Sequence, residues 1–82
     1  MSFSVKIVSA SWCNQCSPYK KAVDSLGIAF ENIDADNEEN MSMLNELGVR
    51  SLPTTLVYKD GELVKMFSGN KPQELKEVIE GV

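Results

Sequence analysis

The stretch SASWCNQCSPYKKAV, Ser9 to Val23, holds both cysteines of the chain, Cys13 and Cys16, with two residues between them. A β-rich run, Phe3 to Ser9, leads straight into it, with Val5, Ile7 and Val8 as its apolar residues. From Ser17 onward the spacing turns helical: Tyr19, Ala22, Val23 and Leu26 fall at i, i+3, i+4 and i+7. Gly27 suits the left-handed position that ends a helix. Pro18 lacks an N–H and crowds the preceding turn, so it belongs in the first turn unless the helix bends there. Two thiols thus sit where a strand hands over to a helix.

Further along, Ile28 to Asp34 (IAFENID) predicts a second short strand. Asp36 followed three residues later by Glu39 resembles a capping box. The helix it opens has Met41, Leu44 and Leu47 as its apolar face and stops at Gly48. In TTLVYKDGELVKMF two β-rich runs flank Asp60-Gly61, a pair that supplies the positive φ angles of a tight hairpin. In NKPQELKEVIEGV, Pro72 marks a helix start, and Leu75, Val78, Ile79 and Val82 form the stripe. The order is therefore β-α-β-α-β-β-α, an α/β chain in which a parallel βαβ unit joins an antiparallel hairpin and a closing helix. Lys6 fits poorly in a central strand covered on both faces. It is expected near the strand's open end, stem buried and amine in water.

The 82 residues form one domain, residues 1–82. An apolar content of 43% with 24% charged residues is ordinary for a globular chain. Apolar runs are at most a few residues long, so no segment spans a membrane. MSFSVKIVSA lacks the apolar core of a signal peptide, which places the protein in the cytoplasm. A net charge of −4 opposes binding to a phosphate backbone, so nucleic acid is not an expected partner.

The chain has no histidine. That removes the base a cysteine protease needs and leaves two cysteines where structural zinc wants four ligands, so no metal site is expected. A structural disulfide is rare inside cells, and inert thiols remain the bland alternative. The redox reading uses what is present. Two intervening residues let the sulfurs close a small ring, and a helix start brings unpaired N–H groups and about half a positive charge to the first sulfur. That favours the thiolate, the reactive form in disulfide exchange. A Cys-x-x-Cys pair between a strand and a helix in a βαβ pattern is a far stronger signal than the pair alone.

At these residues the chain resembles the thioredoxin family over nearly its whole length. WCNQC matches the family's Trp-Cys-x-x-Cys site at Trp12, Cys13 and Cys16, and VRSLPTTLVYKDGELV matches its second signature. The resemblance makes Pro53 a cis-proline facing the cysteines, and Gly69 in FSGN the glycine that borders the substrate groove. It implies a four-stranded mixed sheet of order 2-1-3-4, with the first and third helices on one face and the second on the other. It further implies a protein-disulfide oxidoreductase working without a cofactor. Cys13 would attack the substrate disulfide and Cys16 would resolve the mixed disulfide. Trp12, Leu52, Pro53 and Gly69 would contact the substrate chain, the backbone at Leu52 pairing with it like a strand.

The departures from the family are specific. Its first strand and helix have no counterpart, so the size is that of a glutaredoxin. Asn14-Gln15 stands where Gly-Pro is usual, and Lys21 where a proline bends the helix. Ile7 occupies the place of a buried Asp, thought to help move the resolving thiol's proton, and Phe30 that of the lysine paired with it. A glutathione-dependent glutaredoxin is the rival, but Cys-Pro-Tyr-Cys and the Gly-Gly-x-Asp type of segment are absent; Lys20, Lys21 and Lys71 remain to attract a carboxylate. A redox-inert docking module with the same fold is the other alternative. The expected partners are disulfide-containing proteins, ribonucleotide reductase among them, with a reductase or glutathione as electron donor to a monomer. Tyr19, Met41, Met43 and Tyr58 are expected to be packing or surface residues.

Overall fold

The computed structural model describes residues 3–81. In chain order the elements are β1 (Phe3–Ser9), α1 (Cys16–Ser25), β2 (Glu31–Asp34), α2 (Glu38–Leu47), β3 (Thr54–Lys59), β4 (Glu62–Ser68) and α3 (Pro72–Gly81). The strands form one mixed sheet in the order β2-β1-β3-β4. β1 is parallel to β2 and antiparallel to β3, which turns back as β4. The expected order of elements and of strands is the observed one.

The alternation of β1 splits the core in two. Val5 and Ile7 pack with Tyr19 and Val23 of α1, Val57 of β3 and Leu75 of α3. Val8 points the other way, to Ile33, Leu56 and Leu44 of α2. So α1 and α3 cover one face and α2 the other, as period-two alternation in a central strand requires. Burying each large aliphatic side chain contributes about 1.5–3 kcal/mol.

Local departures have local causes. α1 begins at Cys16, and Pro18 is its third residue, where the missing N–H would have had no intrahelical partner anyway. Leu26 lies beyond the end of α1 and is exposed rather than part of its stripe. Gly27 then takes φ +77°, and the N–H of Ile28 reaches back to the Val23 carbonyl. β2 starts only at Glu31; Ile28 and Phe30 pack on the core before pairing begins. The cap of α2 is Asn37, whose side chain accepts the Glu39 N–H at 3.0 Å, not Asp36. Leu47 packs beside Leu44 as expected, but Met41 is exposed and Met43 packs there in its place. Asp60 and Gly61 both have positive φ, as the hairpin reading requires. On α3, Leu75 is buried and Val78 and Ile79 join its cluster; Val82 lies outside the described residues. Lys6 stands where β2 begins, opposite Glu31, with its amine 5.2 Å from the Tyr58 ring centre.

One polar pair crosses the apolar layer under α1. The hydroxyls of Tyr19 and Thr55 share a hydrogen bond of 2.5 Å, and both residues are fully buried. Burial pushes the Tyr19 phenol above its usual value, opposed by the Thr55 hydrogen bond and reinforced by the charge of Glu74. The folded state therefore holds this proton more tightly than the unfolded chain. Its contribution is complete below pH ~10 and is lost as pH rises through the folded-state value. Tyr19→Phe should cost about 1–3 kcal/mol, because it leaves the Thr55 hydroxyl buried and unpaired. Adding Thr55→Val should recover most of that loss, while Tyr19→Phe by itself should already weaken the decline of stability above pH ~10, both read by thermal melts of the oxidised protein.

Candidate active site

The site is built where β1 ends. After Ser9 the chain turns twice: the Cys13 N–H donates to the Ala10 carbonyl at 3.1 Å, and the Cys16 N–H to the Cys13 carbonyl at 3.4 Å. These turns bring Cys13 and Cys16 together as a disulfide, with their Cα atoms 5.5 Å apart. Cys16 is the first residue of α1, so the positive end of the helix lies against the pair. The two sulfur-bearing residues differ in access. Cys13 is partly exposed, whereas Cys16 is 1% exposed.

The second signature lies at the same end of the sheet, since Val8 of β1 pairs with Thr54 of β3. The Leu52-Pro53 peptide bond is cis and the Pro53 side chain is buried. The Pro53 carbonyl accepts the Gly69 N–H at 2.8 Å, which ties the loop before β3 to the end of β4. Gly69 has φ +102°, a conformation that strains any residue with a Cβ, and the Lys71 stem lies alongside it. Trp12 is 66% exposed, yet its position is fixed: the indole Nε1 donates to the Asp36 carboxylate at 3.0 Å. Trp12 and Leu52 line one open cleft of about 220 Å³ together with Met41 and Leu44. Thus Cys13 joins Cys16, Trp12 meets Leu52, and Pro53 meets Gly69.

Other residues take a place at the site that the sequence pattern does not assign them. Met41, expected only as a packing or surface residue, is exposed at the Trp12 cleft. Lys20, named only as a cation that could attract a carboxylate, forms a hydrogen-bonded cluster with Ser9 and Asn32 beside the disulfide. The available signal was spacing: Lys20 is four residues after Cys16 and so lies on the same helical face. Ile7 is fully buried, and Phe30 packs against its cluster, so both departures from the family pattern put apolar groups into the core.

Known proteins agree with this geometry. A thioredoxin family model matches residues 4–81. The chain is 37% identical over 75 residues to a thioredoxin of Bacillus subtilis, covering 85% of this chain and 72% of that protein. It is 36% identical over 75 residues to one of Listeria monocytogenes, covering 85% and 73%. Among solved structures, spinach chloroplast thioredoxin f in its short form superposes with a TM-score of 0.85 at 27% identity, covering 98% of this chain and 75% of that one. A Halobacterium salinarum thioredoxin variant gives 0.83 at 31% identity, covering 96% and 73%. A paired-cysteine turn at the end of β1, the sheet order around it and these matches converge: the chain belongs to the thioredoxin family of protein thiol–disulfide oxidoreductases.

Proposed function

We propose that Cys13 is the attacking thiolate and Cys16 the resolving thiol in the reduction of protein disulfides. The unequal access of the two residues at a helix start carries this assignment. Cys13 attacks one substrate sulfur and the other leaves as a thiolate. Cys16 then attacks the Cys13 sulfur, closing the protein disulfide and freeing the second substrate sulfur. The exposed Trp12 face, Leu52 and the apolar cleft between them receive the substrate chain, with the Leu52 backbone pairing like a strand. Pro53 and Gly69, tied to each other by the hydrogen bond between the Gly69 N–H and the Pro53 carbonyl, complete the substrate groove in this reading.

The electron donor in this reading is a dedicated dithiol reductase rather than glutathione. A structural neighbour with a TM-score of 0.83 and 27% identity is a thioredoxin f2 solved in complex with ferredoxin:thioredoxin reductase, which supports a protein donor. Among the described residues no helix is long and apolar enough to cross a membrane. Ribonucleotide reductase is one disulfide substrate to assay. Insulin reduction with dithiothreitol tests turnover; an oxidised protein that never accelerates it would contradict the reading. Reduction of the Cys13–Cys16 bond by glutathione should be slow, unsaturated and indifferent to Lys71→Ala. Saturation at micromolar to low millimolar glutathione, in the range of specific sites, would reassign the donor.

A further inference from the structure

Resolution asks Cys16 to give up a proton from a nearly closed position. Cys16 is 1% exposed, and further along α1 Tyr19 and Val23 pack into apolar core with Val5, Ile7 and Val57. The Tyr19 phenol is spent on Thr55 and holds its own proton more tightly than a free tyrosine, so it is no acceptor. Ile7 offers no polar atom. On another side, however, Cys13 and Cys16 line a cavity of about 320 Å³.

The wall of that cavity is polar. Ser9, 3% exposed, donates through its hydroxyl to Asn32 Oδ1 at 2.5 Å. Lys20 Nζ donates to both, 3.2 Å to Ser9 Oγ and 3.1 Å to Asn32 Oδ1. Three elements thus hold one ammonium group in place: β1 through Ser9, β2 through Asn32, and α1 through Lys20 itself. The volume is enough for several waters, each of which takes roughly 30 Å³ in the liquid, and the wall supplies the polar partners a water needs. Of the charged groups around it, Asp34 also lines the cavity, with its carboxylate accepting the Asp36 N–H at 2.9 Å. Lys21 and Asp24 lie beyond Lys20 along α1, and on β1 Lys6 is engaged with Tyr58.

We propose that this cavity is the proton outlet of the resolving thiol, and that Lys20, clamped by Ser9 and Asn32, is the positioning residue that favours the Cys16 thiolate. The inference rests on Cys16 being the resolving thiol. In the step itself the Cys16 proton passes to water in the cavity and on to solvent. The thiolate forms its bond to the Cys13 sulfur, and the bond from Cys13 to the substrate breaks. The substrate sulfur carries the electron pair away and takes a proton from solvent. No other oxidant or reductant enters. The fixed ammonium charge lowers the cost of the thiolate across a cleft that solvent screens in part, and Asp34 sets a limit on that effect by its opposite sign.

The test uses dithiobis-nitrobenzoate, an aryl disulfide that releases one coloured thiolate when Cys13 attacks and a second when Cys16 resolves. Lys20→Met should move the pH midpoint of the second phase up by about one unit. At pH 7 that phase should be about tenfold slower, with rates converging at high pH, the size expected for losing a nearby partly screened charge. Lys20→Arg should keep the midpoint, and Ser9→Ala should shift it upward by less. A midpoint unmoved in Lys20→Met, or a slowing equal at every pH, overturns the proposal. Cys16→Ser separates the two levels. Loss of the second phase there, with the Lys20→Met midpoint unchanged, overturns the outlet alone. Survival of the second phase in Cys16→Ser overturns the resolving role and the outlet with it.

Discussion

Cys16→Ser should accumulate covalent complexes with disulfide substrates, and Cys13→Ser should neither turn over nor trap anything. Both effects are all-or-none, because each removes one of the two bonds that exchange must make. Without Cys16 the mixed disulfide has no internal thiolate to break it and persists until an external thiol arrives. Without Cys13 the remaining thiol is 1% exposed and cannot approach a sulfur held in a protein chain. The fold should survive in both, since a serine hydroxyl replaces one sulfur at a turn held by its own backbone hydrogen bonds. Non-reducing electrophoresis after incubation with oxidised insulin reads the outcome. Equal trapping by both variants would mean that either thiol can attack, and the assignment would fail.

Ile7→Asp should destabilise the protein by about 3–5 kcal/mol, the sum of lost aliphatic packing and a carboxyl buried without a partner. Ile7 is 0% exposed and packed among Val5, Tyr19, Val23, Val57 and Leu75, with Phe30 alongside rather than a cation. Domains hold only about 0.05–0.15 kcal/mol per residue, so this loss removes much of the margin. The new carboxyl should titrate well above ~3.9, because burial disfavours its charged form. The sign follows: the proton is bound more tightly in the folded state. The penalty is therefore smallest below pH ~4 and grows as pH rises through the folded-state value. Denaturant unfolding at acidic and neutral pH checks both parts. A loss under about 1 kcal/mol would mean that the pocket holds water or a cation for the acid. A coupled carboxyl already visible in wild-type titrations of the cysteine Cβ signals would mean that another acid serves the thiols.

What could be read in the sequence was whatever a few neighbouring residues decide. Asp60-Gly61 specified its turn because few residues tolerate positive φ twice running, and both angles are positive here. The Cys-x-x-Cys pair declared itself through the strand before it and the helix after it. Other features depend on distant parts of the chain. Asp36 satisfies the capping pattern on paper, but the Trp12 indole claims its carboxylate and Asn37 caps α2 instead. Leu26 and Met41 obey the helical spacing yet are exposed, one because α1 ends before it and the other because it borders the Trp12 cleft. The Lys20 cluster needs β1, β2 and α1 assembled before it exists. Spacing gave one of its residues a face, and only the sheet register brought the other two to it.

The division of labour between the two thiols is the centre of the account, and timed alkylation of the fully reduced wild-type protein tests it most directly. Iodoacetamide at neutral pH, quenched at intervals and mapped by mass spectrometry, reports which sulfur is both accessible and ionised. The partly exposed thiol beside the start of α1 should react first, so label should appear on Cys13 while Cys16 stays unmodified. Label arriving first on Cys16, or on both at one rate, would contradict the assignment.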